Sequence, residues 1–185
     1  MVRGVFLDRD GVVCFEKNHL VKAEEISLIH NSGKGIKMLN DAGYKTIIVS
    51  NQAAIANGMC KIEDVRLVNK CIEDILEYDG AIIDKFYFCP HHPGGIVPEY
   101  SVACNCRKPA IGMLLQAARD FSINLNESWM IGDKTIDVAA GKSAGCRTIL
   151  VETGYGGKDE IINVQPTFLA KNLYEAVSKI ILKEK

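Results

Sequence analysis

The sequence predicts a single α/β domain over residues 1–185, with a doubly wound, Rossmann-like parallel sheet and helices on both of its faces. Short apolar runs rich in Val, Ile and Phe alternate with longer segments of helical period, which is typical of βαβ units. The length of 185 residues suits one domain, and a 48% share of hydrophobic side chains is enough for a core without disulfides.

Five strands are expected, because five runs are short and continuously apolar, as buried parallel strands are. They span residues 4–7, 45–50, 85–89, 128–131 and 148–151. Between them, apolar side chains recur at helical spacing on three segments, each of which predicts a helix with one buried face. These positions are Ile36, Leu39 and Ala42; Val65, Val68, Ile72, Ile75 and Leu76; and Leu114, Leu115, Ala118 and Phe121.

The helix ends are marked by glycines and by capping residues. Gly43 and Gly80 stand where the first two helices should stop, since glycine readily adopts the left-handed conformation that ends a helix. A fourth helix is expected to start at Thr135. Asn172 is placed to cap a closing helix that runs to Leu182.

Charge and hydropathy exclude several classes of partner. Because 22 basic residues balance 23 acidic ones, for a net charge of −1, no broad basic face for nucleic acid is expected. No apolar run approaches the roughly 18 residues of a membrane span, and Asp8 comes too early for a signal peptide. We therefore expect a cytoplasmic monomer with no nucleic-acid or membrane partner.

Two carboxylates, Asp8 and Asp10, follow the first strand directly. The carboxyl ends of parallel strands are where α/β folds build ligand sites. Two negative charges aimed into one crevice repel each other unless a cation or a shared proton lies between them. Mg²⁺, which prefers carboxylate and water oxygens, is the expected occupant. The alternative interpretation is a solvated turn with Asp10-Gly11 at its corner.

Three further polar clusters follow later strands or the long loop, which favours a shared site over isolated turns and caps. The hydroxyl and amide donors of the first cluster suit phosphate oxygens. The clusters are Ser50-Asn51-Gln52, Arg107-Lys108-Pro109, and Gly132-Asp133-Lys134 with Asp137 one helical turn further on.

The loop over residues 89–108 carries a second signal, because it holds three prolines and two adjacent glycines but has little periodicity. Long loops in compact domains are usually functional or tied down. Cys89, His91, Cys104 and Cys106 form two closely spaced pairs that can present a closed set of Zn²⁺ ligands. We expect a structural zinc site that staples the loop, with His92 as an alternative ligand.

The order DxDG, Ser-Asn, Lys and GDxxxD resembles the haloacid dehalogenase (HAD) superfamily of phosphatases over residues 8–137. The resemblance implies that Asp8 is the nucleophile, which forms an aspartyl-phosphate. It implies that Asp10 protonates the leaving oxygen and then activates water. Mg²⁺ is then held by Asp8, by the backbone carbonyl of Asp10 and by Asp133.

The same resemblance assigns the positive and polar groups. Ser50 and Lys108 are expected to neutralise charge on the transferring phosphoryl group. Asp137 is expected to support Lys108 or a metal-bound water. No segment is long enough to form an inserted cap domain, so the short loops must select the substrate.

The zinc loop narrows the resemblance to the D-glycero-D-manno-heptose 1,7-bisphosphate 7-phosphatases, through Cys-Pro-His-His-Pro and Cys-x-Cys-Arg-Lys-Pro. These enzymes act on a precursor of bacterial lipopolysaccharide heptose. The resemblance implies that a phosphorylated sugar is the substrate, and it names the residues expected to bind it. They are Glu16, Lys17, Asn18, His19, Asn51, Gln52, Ala53, Arg107 and Lys134.

The sugar-facing periphery departs from that family pattern. Cys14 stands where Asn is common, Glu16-Lys17-Asn18-His19 replaces Asp-x-Gly-Tyr, and Ala54 to Gly58 read Ala-Ile-Ala-Asn-Gly instead of Gly-Ile-Ala-Arg-Gly. Two alternatives therefore stay open. One is an enzyme for histidinol phosphate or another small phosphomonoester, and the other is a signalling module phosphorylated on its first aspartate.

Overall fold

In the computed structural model, residues 2–17, 19–159 and 161–184 are described, and six parallel strands form one sheet. The strands are β1 (Gly4–Leu7), β2 (Lys45–Asn51), β3 (Lys85–Cys89), β4 (Trp129–Gly132), β5 (Arg147–Val151) and β6 (Phe168–Ala170). The five predicted strands are present, with ends that differ by one residue at most. The sixth, β6, was not expected from the sequence.

The helices lie between the strands and at the end of the chain. They are α1 (Ser32–Asp41), α2 (Ala53–Ala56), α3 (Ile62–Tyr78), α4 (Gly112–Phe121), α5 (Thr135–Ser143) and α6 (Leu173–Glu175), and α6 continues as a π-helical segment, Ala176–Ile181. Gly43 and Gly80 have φ of +79° and +67°, which confirms the predicted helix stops. The Asn172 side chain accepts a hydrogen bond from the Glu175 backbone N–H at 2.9 Å, which confirms the predicted cap.

The strand order is β3-β2-β1-β4-β5-β6, so β1 lies at the centre of the sheet. Leu7 pairs with Ile48 on one side and with Ile131 on the other, so β1 ends beside the last residues of β2 and β4. From β1 the chain adds β2 and β3 on one side of the sheet and then β4, β5 and β6 on the other. Ligands of open α/β sheets bind at the point where this strand order reverses. The topology therefore brings the segments that follow β1, β2 and β4 to one crevice.

Two apolar clusters fill the two faces of the sheet, as a doubly wound fold requires. Val5 and Leu7 belong to the cluster that includes α1, α3 and the closing helix. Phe6, which points to the opposite face because strand side chains alternate, packs with α4. Two of the residues that the helical periodicity placed on buried faces are partly exposed: Ile75 and Leu115 are 39% and 38% exposed and lie at the solvent edge of their helices.

Close packing of α5 on the sheet depends on a glycine. A Cβ added to Gly141 would lie 2.6 Å from the Cβ of Met130 on β4, a distance that ordinary packing does not allow. The helix that carries Asp137 is therefore held directly against the strand that carries Asp133. Across the described part of the chain, every helix is too short or too polar to cross a membrane.

Candidate active site

Asp8 lies at the end of β1, on the crevice between β2 and β4. Its backbone N–H extends the sheet pairing by donating to the Ile131 carbonyl at 3.0 Å. Its side chain is almost fully buried, and Oδ1 accepts from the Arg9 backbone N–H at 2.8 Å. The Lys108 ammonium lies 3.0 Å from the same oxygen. A carboxylate held in this way is fixed in orientation.

Lys108 reaches Asp8 from the end of the long loop. Asn51, the last residue of β2, holds the Lys108 backbone by two hydrogen bonds of 3.0 Å: its amide donates to the carbonyl, and its oxygen accepts from the N–H. The ammonium donates to the Val49 carbonyl at 2.7 Å and lies 2.7 Å from Asp137 Oδ1. Burial alone would lower the pKa of Lys108, but the charges of Asp137 and Asp8 raise it, so the side chain stays a cation.

Asp8, Asp133 and Asp137 form an acidic cluster whose ligand oxygens lie within 4.8 Å of one another. Asp133 is fully buried, and its Oδ2 accepts from the Tyr155 backbone N–H at 2.8 Å. Its Oδ1 is buried and has no hydrogen-bond partner. Burial first, then the charges of Asp8 and Asp137, raise the pKa of Asp133 to about 8. A cation at the unpartnered oxygen would remove this cost.

The donor set fits Mg²⁺, because this ion binds carboxylate oxygens and dehydrates only in part. Two glycines leave room for the Asp133 carboxylate: Gly11 and Gly154 have φ of +83° and +66°, and a Cβ on either one would overlap Asp133 Oδ2. Asp137 itself pairs with Lys108, and burial raises its pKa to about 6 against the opposing effect of that lysine.

Asp10 lies at the mouth of the crevice, with 13% of its side chain exposed. Arg9 donates to it from Nε, at 3.3 Å to Oδ1 and 3.2 Å to Oδ2, and from Nη2 at 3.0 Å to Oδ2. Gln52 Nε2 donates to Oδ2 at 3.2 Å and also to Ser50 Oγ at 2.8 Å. The carboxylate is therefore held by side chains from the ends of two strands.

A cavity of about 290 Å³ opens above these groups. It is lined by Asp8, Asp10, Glu16, His19, Ser50, Asn51, Gln52, Ala53, Arg107, Lys108 and Lys134, all expected from the sequence, and by Ile136, Tyr155, Asp159 and Ile161, which were not. Of the remaining expected residues, Lys17 is exposed and does not line the cavity. Asn18 lies outside the described residues.

Lys134 forms one wall of the cavity with two neighbours. Its ammonium lies 3.0 Å from Glu16 Oε2 and 4.4 Å from the centre of the Tyr155 ring. Burial would lower the pKa of Lys134, but Asp8, Asp133 and Glu16 raise it, so this cation also persists. The cavity thus offers a second positive charge beside Lys108.

The loop between β5 and β6 supplies three of the four cavity residues that the sequence did not indicate. Asp159 accepts from the Thr135 backbone N–H at 2.8 Å and from the Thr135 hydroxyl at 2.8 Å. A carboxylate at this position satisfies the first turn of α5. Tyr155, on the same loop, binds Asp133 through its backbone. A glycine-rich run after a strand, Gly154-Tyr155-Gly156-Gly157, was the signal available.

Three cysteines and one histidine of the long loop gather at a second centre. The three Sγ atoms of Cys89, Cys104 and Cys106 lie 3.1 to 3.4 Å apart, and His91 Nδ1 lies 3.5 Å from Cys106 Sγ. Four ligands around zinc at about 2.3 Å would be roughly 3.8 Å apart, so these atoms are slightly compressed around a tetrahedral centre. His92 Nδ1 instead accepts from the Gly94 N–H at 3.1 Å.

The chemistry of this cysteine cluster fits a zinc ion. Burial opposes ionisation, but hydrogen bonds from Cys106 and the Arg107 backbone lower the pKa of Cys104 to about 6. Zinc binds thiolates, so one ligand is already close to the required state. Arg107 Nη1 donates to the His91 carbonyl at 3.1 Å, which links the cluster to the cavity wall.

Several known proteins with similar sequences are named heptose-1,7-bisphosphate 7-phosphatases. The HAD-hydrolase-like family model matches residues 105–176. A Photorhabdus laumondii D-glycero-alpha-D-manno-heptose-1,7-bisphosphate 7-phosphatase is 39% identical, with 97% of each chain covered. A Thermosynechococcus vestitus D-glycero-D-manno-heptose-1,7-bisphosphate 7-phosphatase is 37% identical over 95% of this chain and 94% of that one. The Haemophilus ducreyi enzyme, named for the beta anomer, is 38% identical over 82% and 84%.

Solved structures agree with the sequence comparison. A D,D-heptose 1,7-bisphosphate phosphatase from B. bronchiseptica, complexed with magnesium and phosphate, superposes with a TM-score of 0.87, 26% identity and coverage of 98% and 99% of the two chains. A Mesorhizobium loti protein described as a putative HAD-like phosphatase gives 0.83 at 28% identity, covering 96% and 87%.

Proposed function

The chain belongs to the heptose-1,7-bisphosphate 7-phosphatase family of HAD-like hydrolases, and on that premise we propose that it removes the 7-phosphate of D-glycero-D-manno-heptose 1,7-bisphosphate. Members of this family are phosphoric monoester hydrolases. The observation that carries the proposal is the placement of Asp8, which lies 3.0 Å from the buried Lys108 cation and beside the unpartnered oxygen of Asp133.

The reaction proceeds in two steps on Asp8. Its carboxylate oxygen attacks phosphorus, the bond to the sugar oxygen breaks, and Asp10 gives that oxygen a proton. Water then attacks the phosphorus of the aspartyl-phosphate, Asp10 accepts the proton, and the Asp8 carboxylate is restored. Both carboxylates line the cavity, and their different contacts support this division of labour: Asp8 lies against the Lys108 ammonium, whereas Asp10 is held by Arg9 and Gln52.

Asp8, Asp133 and the Asp10 backbone carbonyl would hold Mg²⁺, with Asp137 behind them. When bound, the ion neutralises the charge that builds on the phosphoryl oxygens. Lys108 would do the same as a fixed cation, and the Ser50 hydroxyl would donate to a phosphoryl oxygen. Asp137 keeps Lys108 in place through its 2.7 Å ion pair.

The outer cavity selects the substrate. Arg107 and Lys134 are the cations placed to meet a second phosphate or the sugar hydroxyls; Glu16 lies beside Lys134, and His19 also lines the cavity. Asn51, Gln52 and Ala53 present polar groups near the reacting phosphate. We keep Lys17 and Asn18 as members of the sugar-facing segment because they adjoin Glu16 in the chain.

The zinc cluster has a structural role in this proposal. Four protein ligands would leave no open position on Zn²⁺, so the ion fixes the loop that delivers Arg107 and Lys108. Under this proposal the protein acts as a monomer. Free thiols at Cys89, Cys104 and Cys106 suit the reducing cytoplasm, where the heptose precursor of lipopolysaccharide would be processed.

The test is phosphate release from a panel that contains both anomers of the heptose bisphosphate, histidinol phosphate and simple sugar monophosphates, each with Mg²⁺ and with chelator. We expect the highest kcat/KM on one heptose anomer and none with chelator. A strong preference for histidinol phosphate would contradict the substrate assignment. An Asp8 phosphate that persists for hours in Mg²⁺ would favour a signalling module instead.

A further inference from the structure

Arg9 is a buried cation that the two reaction steps above do not use. Only 1% of its surface is exposed, although arginine is seldom fully buried without a partner. Burial would lower the pKa of its guanidinium, but Asp10 foremost among its neighbours raises it. The side chain therefore carries a full charge inside the protein, between the two reacting carboxylates in sequence.

The guanidinium donates to four residues on different parts of the fold. Nε and Nη2 bind both oxygens of Asp10. Nη2 also donates to Gln52 Oε1 at 3.1 Å and to the Leu20 carbonyl at 3.3 Å, and Nη1 donates to Asn69 Oδ1 on α3 at 3.1 Å. Planar, fixed donors of this kind define an orientation that a flexible ammonium does not.

The contacts of Asp10 give the guanidinium a specific task. A proton donor and acceptor must keep its carboxylate within reach of two different oxygens, first of the sugar and then of water. Arg9 provides a rigid frame for that carboxylate, with Gln52 Nε2 at 3.2 Å and the Cys14 thiol at 3.5 Å completing it. Asn69, by contrast, touches no reacting group in this network and serves only as the far anchor.

We propose that Arg9 is the positioning residue for Asp10, and that its anchorage on Asn69 and Gln52 fixes the proton-transfer geometry of both steps. The inference rests on the proposed two-step mechanism but not on the identity of the sugar. Loss of Arg9 should therefore slow the steps that need Asp10, while substrate binding continues and Asp8 still attacks an ester whose leaving group needs no proton.

The experiment compares an aryl phosphate, p-nitrophenyl phosphate, with the sugar phosphate that the wild-type protein prefers in the panel. A nitrophenolate leaves without a proton, so only the second step needs Asp10 with the aryl ester. For Arg9→Met we expect a burst of nitrophenol of one equivalent per chain followed by slow turnover. With the sugar phosphate, kcat should fall by about 10² or more with little change in KM, as for loss of a general acid. Asn69→Ser should show the same pattern at a smaller magnitude, and Arg9→Lys should recover only part of the activity.

The control for simple loss of stability is Thr148→Val on β5, which removes a buried hydroxyl that pairs with Thr167, away from the cavity. This variant should show no burst and an equal effect on both substrates. If Arg9→Met shows the same kinetics as Thr148→Val, with no burst and an equal effect on both substrates, the inference is overturned. If Arg9→Met does not fold, wild-type kinetics of Asn69→Ser on both substrates overturn it. If the wild type cleaves the aryl ester but no heptose bisphosphate, only the substrate proposal fails. If it cleaves no phosphomonoester, both proposals fall.

Discussion

Replacing Lys108 with methionine removes a buried charge while it keeps most of the side-chain volume. The ammonium lies 2.7 Å from Asp137 and 3.0 Å from Asp8, and both carboxylates are buried with it. In Lys108→Met these two negative charges lose their common partner. Breaking a buried ion pair from one side costs about 3–5 kcal/mol, because the remaining charge is left without compensation.

Urea unfolding of the metal-free protein measures this loss. We expect Lys108→Met to lower the free energy of unfolding by about 3–5 kcal/mol, and the double variant Lys108→Met/Asp137→Asn to recover part of it. The surface control is Lys37→Met, because the Lys37 and Asp41 side chains are 47% and 64% exposed although they lie 2.7 Å apart. An exposed pair of this kind should cost less than about 1 kcal/mol.

In the same variants, the change in kcat should not follow the change in the free energy of unfolding. Loss of one preorganised positive group opposite the phosphoryl oxygens predicts a decrease in kcat of about 10² to 10³. The double variant should stay equally inactive, since restoring stability does not restore the cation. A Lys108→Met protein that loses less than about 1 kcal/mol and keeps kcat within about tenfold of the wild type would refute the reasoning.

Three further outcomes are expected. Cys104→Ser should lose zinc and lower activity without abolishing it, while Cys60→Ser keeps one zinc per chain; elemental analysis that finds unchanged zinc in Cys104→Ser contradicts the ligand assignment. The folded, metal-free protein holds a proton on Asp133 up to its pKa of about 8, whereas the unfolded chain releases this proton near pH 4. The free energy of unfolding without metal should therefore fall as the pH rises from 4 to 8, and Mg²⁺ affinity should rise by up to about tenfold per pH unit from 6 to 8. A constant Mg²⁺ affinity measured by calorimetry would contradict this. Asp159→Ala should remove the hydrogen bonds to Thr135 and lower the free energy of unfolding by about 0.5–2 kcal/mol. Amide exchange in the β5–β6 loop should become faster and KM should rise. Unchanged amide exchange would contradict the role of Asp159 in holding this loop.

Local sequence patterns were sufficient to predict the strands that build the crevice. Continuous apolar runs identified β1 to β5. The rule that ligands bind at the carboxyl ends of parallel strands predicted that Asp8, Ser50 and Asp133 lie close together. The family resemblance of the four motifs is now matched by sequence relatives and by a solved structure.

Features set by distant contacts could not be read from such patterns. The three residues of β6 have no periodicity, and Leu169 is 66% exposed, so only the pairing with β5 makes this segment a strand. Arg9 sits between two acidic residues and resembles a solvated turn in the sequence. Its burial depends on Leu20 and Asn69, which lie 11 and 60 residues away.

The cavity wall formed by Tyr155 and Asp159 was missed for a similar reason. Its position is determined by hydrogen bonds to Asp133 and Thr135, 22 and 24 residues earlier, and not by any local preference. Glycines at 154, 156 and 157 allow the loop to turn back over the site, with φ between +57° and +78°.

The most direct measurement is peptide mass mapping of the acid-quenched protein during turnover of p-nitrophenyl phosphate, with Asp10→Asn used to slow hydrolysis of the intermediate. We expect one acid-stable acyl phosphate per chain on Asp8, absent from an Asp8→Asn protein that also releases no phosphate. Phosphate release by Asp8→Asn at the wild-type rate, or a phosphoryl group on any other residue, would contradict covalent catalysis at this position.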